Sequence, residues 1–468
     1  MQFVLKLLTR GFAKQVNLGS VKVTYSGCLP PRLLHSVAST QCSGTWKNHY
    51  QPFAAVIHDL KNNIVLLVRD HLGVEPLYYY YTKDLLIAGQ SIPDILSHLK
   101  STPDYNQNYL NQLFTDHSMP YTNDTHFKNI YRLEPGHALS VNSGSMEEPQ
   151  AFWQLAKKAP TLYYADERDY LAHFTTLMDE ALLNAAGSET HCASEFSAGL
   201  DSSALYCTAK RLNISPTLFM HQPVKGTPSA EKYNDTFEAA FLNHYQPLNL
   251  HRICAESFDA IPIFKEYANW FGGPAPYLFF MFANPLHRAV ADAQHPILLS
   301  GFGGDQCTSG IVPLSFYMPQ LILNQQFRQA WQEIKGRSLL KRGLQFLKYS
   351  HPFLYHVAIR HQEKRWRRGI IPHPVHPYLR KYYRSVREAE WSLLQGSDSF
   401  EVRMRIEYSS IVAKRMGFSY RYPLLYPKLL EFMCSLPLTQ KRDNQGGRYL
   451  IRCYLEQYLG KDNVRTFR

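Results

Sequence analysis

The sequence has no apolar run approaching the ~18 residues that a membrane-spanning helix needs. Its first stretch, MQFVLKLLTRGFAKQ, is interrupted by Lys6 and Arg10 before the apolar core of a secretory signal is complete. A cytoplasmic protein is the expectation. The 8 cysteines form no CxxC pair and no His-flanked cluster, and they are too sparse in 468 residues for a disulfide framework. Reduced thiols without structural zinc follow. There are no internal repeats and no low-complexity tract, and 45% hydrophobic against 19% charged residues excludes a disordered polymer. What remains is a folded chain long enough for two or three domains at ~150 residues each.

Acidic residues are scarcest between Lys335 and Arg387, where 14 Lys and Arg face one acid, Glu363, so that this segment accounts for the formal charge of +12. It also holds Trp366, Tyr349, Tyr355, Tyr378, Tyr382 and Tyr383. Basic residues interleaved with aromatics suit nucleic acid, an anionic membrane face or an acidic peptide, and they equally describe a solvated helical insertion. No recognised nucleic-acid module surrounds the segment, so no nucleic-acid partner is expected.

Up to about residue 155, short apolar runs alternate with turn signals: Phe53 to Asp59, Asn63 to Asp70, Pro76 to Tyr81 and Leu85 to Gly89. Such spacing predicts antiparallel β structure. Helices are expected near Ser91 to Leu99 and Asn108 to Thr115, a strand at His137 to Val141, and a linker around Lys157, Lys158 and Pro160. From Tyr170 to Ala186 apolar residues recur at helical spacing. The short strands TLFMHQ and ILLSG then alternate with helices, which predicts a doubly wound parallel sheet, and beyond Gly310 the chain reads as mainly helical.

Two loops carry the chemistry. In SEFSAGLDSSAL, Ser194 to Leu205, a strand-like run meets Ser197, Ala198, Gly199, Leu200, Asp201, Ser202 and Ser203 before a helix begins. Small residues let the backbone approach an anion, and the NH groups of the first helical turn point at it. A carboxylate inside such a loop is unfavourable unless a cation separates the charges, so Asp201 is read as a Mg²⁺ ligand. A Ser-capped turn would explain the serines but not the aspartate. PILLSGFGGDQ, Pro296 to Gln306, repeats the logic: a buried strand runs into Ser300, Gly301, Phe302, Gly303 and Gly304 and ends on Asp305. Loops after strand carboxyl ends in such a sheet converge on one crevice, so Asp305 is expected to complete the Mg²⁺ site.

These residues resemble the asparagine synthetase superfamily of ATP-pyrophosphatase amide ligases, over most of the chain. SAGLDSS is similar to its pyrophosphate loop SGGLDSS, with Ala198 in place of the second residue, and SGFGGD is similar to its second metal loop. VRDHLGVEPLYYYY (Val68 to Tyr81), THFKNIYRLEPGHAL (Thr125 to Leu139) and Phe152-Trp153 resemble the amino-terminal domain. YRYPLLYPKLLEFMCSLP (Tyr420 to Pro437) resembles the helical closing segment, with Tyr426 where an aspartate is usual. The resemblance implies an α/β chain in two parts. Residues 1–158 would form a β-rich glutaminase-like domain of the N-terminal nucleophile type. Residues 165–468 would form a doubly wound parallel-sheet ATP-pyrophosphatase domain with a helical carboxyl-terminal part and a basic helical insertion near 335–390. ATP and Mg²⁺ are the implied cofactors, with Ser197 through Ser203 and Ser300 through Gly304 on the nucleotide.

The departures narrow the expectation. Glutamine-dependent members carry a cysteine directly after the initiator Met, and the carboxamide of Gln2 cannot replace its thiolate. Their glutamine-holding NGEIYN stretch has no counterpart between Ser26 and Phe53. The attacking amine is then expected to belong to the substrate, as in β-lactam and carbapenam synthetases and in lasso peptide cyclases. The Gly-Gly-Asp form of the second loop, with Phe302 where asparagine synthetases carry Glu and β-lactam synthetases Tyr, favours a lasso peptide cyclase. Small-molecule amide or β-lactam synthesis, and a catalytically dead scaffold, are the alternatives. Phe302 cannot move a proton, so Glu407 and Tyr408 are candidates for the general base, against a surface role for both. The resemblance implies a catalytic lysine near the carboxyl end; either Arg465 or Arg468 is expected in its place, or the sequence stops just before it. Tyr277, Phe279, Phe280 and Phe282 either shape a substrate cavity or belong to the core. The implied partners are a precursor or core peptide, a leader peptidase and recognition protein complex, and an exporter or membrane surface.

Overall fold

The computed structural model describes residues 6–30, 33, 46–83, 85–115, 122–142, 145–187, 189, 191–222, 241–246, 249–254, 259–274, 279–308, 313–334, 338–368, 370, 377–396, 398–443 and 446–465. In the amino-terminal part, β-branched and aromatic residues between short polar turns give strands. The turn after Phe53–Asp59 shows how. Asp59 Oδ1 accepts the Lys61 and Asn62 backbone NH groups at 2.9 and 3.2 Å, Asn63 takes a left-handed φ of 52°, and Ile64–Arg69 returns antiparallel. Val21–Gly27 and Lys14–Leu18 extend this sheet on one side and His137–Asn142 on the other. A second sheet runs in the order Lys6–Arg10, Leu85–Gly89, Tyr78–Thr82, Ile130–Arg132. Ala54, Val56, Val65 and Leu67 of the first sheet meet Tyr79, Leu86 and Ala88 of the second in a buried layer.

Asp166 opens the second part. Its carboxylate accepts the Arg168 NH at 2.8 Å and caps the helix Glu167–Ala186, whose buried stripe of Tyr170, Phe174, Leu177, Met178, Ala181 and Ala185 recurs every three or four residues. Five parallel strands follow in the spatial order Leu250–Cys254, Thr217–Gln222, Ala193–Phe196, Ile297–Leu299, Ser419–Arg421. The chain builds from Ala193–Phe196 towards one edge, then returns to place Ile297–Leu299 on its other side. The switch point therefore lies between these two strands, where loops leaving their carboxyl ends open a crevice.

Between Leu314–Leu323 and Pro352–Arg367 the helices gather around Phe316, Met318, Tyr349, Tyr355, Ile359 and Tyr383, a cluster distinct from the main core. No helix among the described residues is long and apolar enough to cross a membrane.

The helix Phe400–Met416 fastens the two parts together. Arg403, Glu407 and Lys414 lie at i, i+4 and i+11 and so share one face. They reach Glu134 at 3.8 Å, Arg69 and Arg132 at 2.9 and 3.2 Å, and Glu75, respectively. Beside them Ile92, Ile95 and Phe127 pack on Phe271, Met404, Tyr408 and Ile411. Ion pairing and apolar burial act at the same seam.

Candidate active site

The strand Ala193–Phe196 runs through Ser197 and Ala198 into the helix Leu200–Arg211, with Asp201, Ser202 and Ser203 in its first turn. Gly199 is the N-cap and offers no side-chain cap, which leaves the leading NH groups of the helix available to an anion. The loop is braced by its own serines. Ser202 Oγ donates to the Gly199 carbonyl at 3.2 Å and accepts the Ser197 NH at 3.3 Å, while Ser197 Oγ accepts the Gly199 NH at 3.3 Å. Ala198 holds a left-handed φ of 51°, a conformation that costs an L-residue about 1–2 kcal/mol.

The second loop lies against the first because of its glycines. Gly303 has a φ of 94°, and a Cβ on Gly304 would overlap the Asp201 carboxylate. This contact brings Asp305 alongside Asp201. Arg448, which heads the helix Tyr449–Leu459, then spans the pair: Nη1 lies 3.3 Å from Asp201 Oδ2, and Nη2 is paired with Asp305 Oδ1. Asp201 Oδ1 is buried without a hydrogen-bond partner. Burial pushes the Asp201 carboxyl up, and Arg448 opposes that shift. No group of three or more His, Cys, Asp or Glu able to hold a metal occurs among the described residues. Two carboxylates sharing one guanidinium, one of them with an orphaned oxygen, fit a cation that takes one or two carboxylates and completes its shell with water and phosphate oxygens, the habit of Mg²⁺.

Behind the loops a buried polar chain fixes their geometry. Tyr420 donates to Glu195 Oε1 at 2.6 Å, Ser300 Oγ donates to Glu195 Oε2, and Ser300 Oγ accepts the Phe302 NH at 3.2 Å. His287 Nε2 lies 2.6 Å from the Tyr420 hydroxyl. Since that hydroxyl gives its proton to Glu195, the imidazole donates here. Burial pushes His287 down to about 3, so it is neutral at ordinary pH.

The structure places Asp201, Asp305 and both loops together. Two of their residues serve the loop rather than face outward: Ser300 is fully buried with its hydroxyl committed to Glu195, and the Phe302 ring carries the Arg405 guanidinium 4.0 Å from its centroid, with Tyr422 edge-on. Glu407 and Tyr408 must be corrected. Neither is a surface residue: Glu407 is sealed between Arg69, Arg132 and Tyr78, which hold its carboxylate as an ion-pair partner, and Tyr408 packs edge-on against Phe271. Arg468, Gln2 and Tyr277 lie outside the described residues, as do the side chains of Arg465, Phe279, Phe280 and Phe282. Sequence reasoning missed Arg448, Glu195, Tyr420 and His287. Glu195 did leave a signal, as the only ionisable residue in the strand Ala193–Phe196 that feeds the loop.

Residues 173–465 match the sequence model of the asparagine synthase family, and residues 42–153 match that of a glutamine amidotransferase domain. Asparagine synthetase [glutamine-hydrolyzing] 3 of Bacillus subtilis (strain 168) is 26% identical over 157 residues, 34% of this chain and 25% of that protein. Asparagine synthetase [glutamine-hydrolyzing] 2 of the same strain is 26% identical over 161 residues, 33% of this chain and 22% of that protein. Amidase chyE of Penicillium rubens is 25% identical over 154 residues, again 33% and 22%. The matched stretch spans about a quarter of the length of these relatives.

Proposed function

Since this chain belongs to the asparagine synthase family, we propose that it is an ATP-dependent, AMP-forming amide ligase, and that its substrate is a peptide closed into a macrolactam, as in a lasso peptide cyclase. The observation that carries the reading is the convergence of Asp201 and Asp305 on Arg448 at the switch point of the parallel sheet. Held by these two carboxylates, Mg²⁺ would neutralise the charge of the ATP phosphates.

The first-turn NH groups of Leu200–Arg211 and the serines of the loop bind the pyrophosphate portion of ATP. Freed from the carboxylates, Arg448 turns its guanidinium to the phosphate oxygens, where a planar fork is well matched. An oxygen of the Asp or Glu side chain of the peptide attacks the α-phosphorus, and pyrophosphate leaves. The α-amine of the peptide then attacks the acyl carbon, loses a proton, and displaces AMP. Phe302, pinned beneath Arg405, has no group that could take part in that proton transfer and instead holds the second loop in place.

Incubation with ATP, Mg²⁺ and a synthetic core peptide encoded beside this gene tests the reading. The expected result is peptide-dependent ATP–pyrophosphate exchange and a product lighter than the peptide by one water. Added glutamine changes neither rate nor yield and releases no glutamate. The similarity to asparagine synthetases supports a second reading, a small-molecule amide synthetase. Exchange driven by a small carboxylic acid but not by the peptide would select it, and the absence of exchange with both would refute the ligase.

A further inference from the structure

The basic segment folds as a helical hairpin, Leu339–Ser350 followed by Pro352–Arg367, whose inner faces carry the buried Tyr349, Tyr355 and Ile359. The outer faces are apolar. On the first helix Leu340, Leu344 and Leu347, at i, i+4 and i+7, are 75%, 60% and 54% exposed, with Leu339 beside them at 73%. On the second, Phe353, Leu354 and Val357 are 63%, 41% and 47% exposed. Leu347 and Phe353 flank the turn at His351, so the two stripes meet there. Lys341, Arg360, Lys364, Arg365, Arg367 and Arg368 are exposed around them, and the single acid of the stretch, Glu363, is taken up by Arg380 at 2.8 Å.

We propose that this hairpin is a membrane-surface anchor that lies in the headgroup region of an anionic bilayer, its leucines and Phe353 among the upper acyl chains and its Lys and Arg on the lipid phosphates. Seven large apolar side chains left in water on one small subdomain mark a surface that is covered in use. The choice of lipid over protein rests on charge. The surface is basic without interspersed acid, which complements a uniformly anionic sheet of headgroups, whereas a protein partner would present mixed charges to be matched pair by pair. Lys and Arg flanking a leucine stripe is also the composition of helices that lie in the interface plane. The crevice of Asp201 and Asp305 uses none of these residues, so attachment places the enzyme without altering its chemistry.

The test is flotation of the full chain with vesicles of phosphatidylcholine containing one third phosphatidylglycerol, at physiological salt. The expected result is binding to these vesicles and little to phosphatidylcholine alone. Reversing Lys364, Arg365, Arg367 and Arg368 to Glu should abolish it. The combined change Leu340→Gln, Leu344→Gln and Leu347→Gln, on side chains already in water, should weaken binding at least about tenfold while the thermal unfolding curve stays unchanged. No preference for anionic vesicles overturns the proposal. Binding that is lost on charge reversal yet untouched by the glutamines also overturns it, because a purely electrostatic surface would serve an acidic protein instead.

Discussion

The Glu407 carboxylate accepts a hydrogen bond from Arg69 Nη2 at 2.9 Å, joining side chains 338 positions apart in the sequence and each 1% exposed. Arg132 Nε reaches Oε1 at 3.2 Å, and the Tyr78 hydroxyl donates to the same oxygen at 2.5 Å. Burial alone would raise this carboxyl, but Arg132 and Arg69 outweigh it and hold it below the ordinary glutamate value. A residue fixed in the ionised state by two arginines of the neighbouring domain is a clasp rather than a proton carrier.

Glu407→Ala should therefore destabilise the chain by about 3–5 kcal/mol, since it strands two buried guanidinium groups. Because the folded pKa is depressed, this contribution is complete above the unfolded value of about 4.3 and is lost as pH falls through the lower folded value. Denaturant unfolding across that window should show a steeper acid decline in the wild type than in Glu407→Gln. Wild-type stability in Glu407→Ala with exchange activity lost would restore a catalytic role.

What the sequence made legible was local. The strand TLFMHQ coincides with Thr217–Gln222, and the strand-to-loop-to-helix form of both loops was legible because small residues, a helix start and an aspartate occur within a dozen positions. Val21–Gly27 was missed although Val21, Val23 and Tyr25 alternate, because Lys22, Thr24 and Ser26 leave no apolar run. The edge strand Leu250–Cys254, with His251 and Arg252, gives as little signal. Arg448 and the Glu407 clasp were illegible for another reason. Their meaning lies in partners that only the tertiary fold brings near, and a lone Arg or Glu on a helix reads as a solvated charge.

Asp201→Asn and Asp305→Asn should each reduce ATP–pyrophosphate exchange by about a hundredfold or more, corresponding to at least ~3 kcal/mol of transition-state stabilisation. Both variants should fold. Asp201→Asn removes a charge that burial disfavours, so its unfolding midpoint should not fall below that of the wild type. Near-normal exchange in either variant would dissolve the two-loop site.

Mg²⁺ with ATP should raise the thermal midpoint, by the equivalent of about 2.7 kcal/mol at a ligand concentration a hundred times the dissociation constant. Chelation should remove the effect, and so should Asp305→Asn. ATP stabilising equally well in a chelator would show that Arg448 alone meets the phosphates, and that the carboxylates position the arginine rather than a metal.

Ala198 is the residue in which this chain departs from the pyrophosphate loop it resembles, and the structure shows what the departure costs: a Cβ in the left-handed region at φ 51°, 5% exposed and confined beneath the loop. Relief of that conformation is worth about 1–2 kcal/mol, and the added freedom of glycine in the unfolded chain returns about 0.4–1 kcal/mol. Ala198→Gly should therefore stabilise the chain by roughly 0.5–1 kcal/mol in denaturant unfolding. The gain should come without loss of nucleotide binding, because the braces from Ser197 and Ser202 involve the neighbouring residues and not the Ala198 side chain. A loss of stability would mean that the methyl group's packing outweighs its strain, and that the loop is set by contact with the core rather than by the backbone preference of its second position.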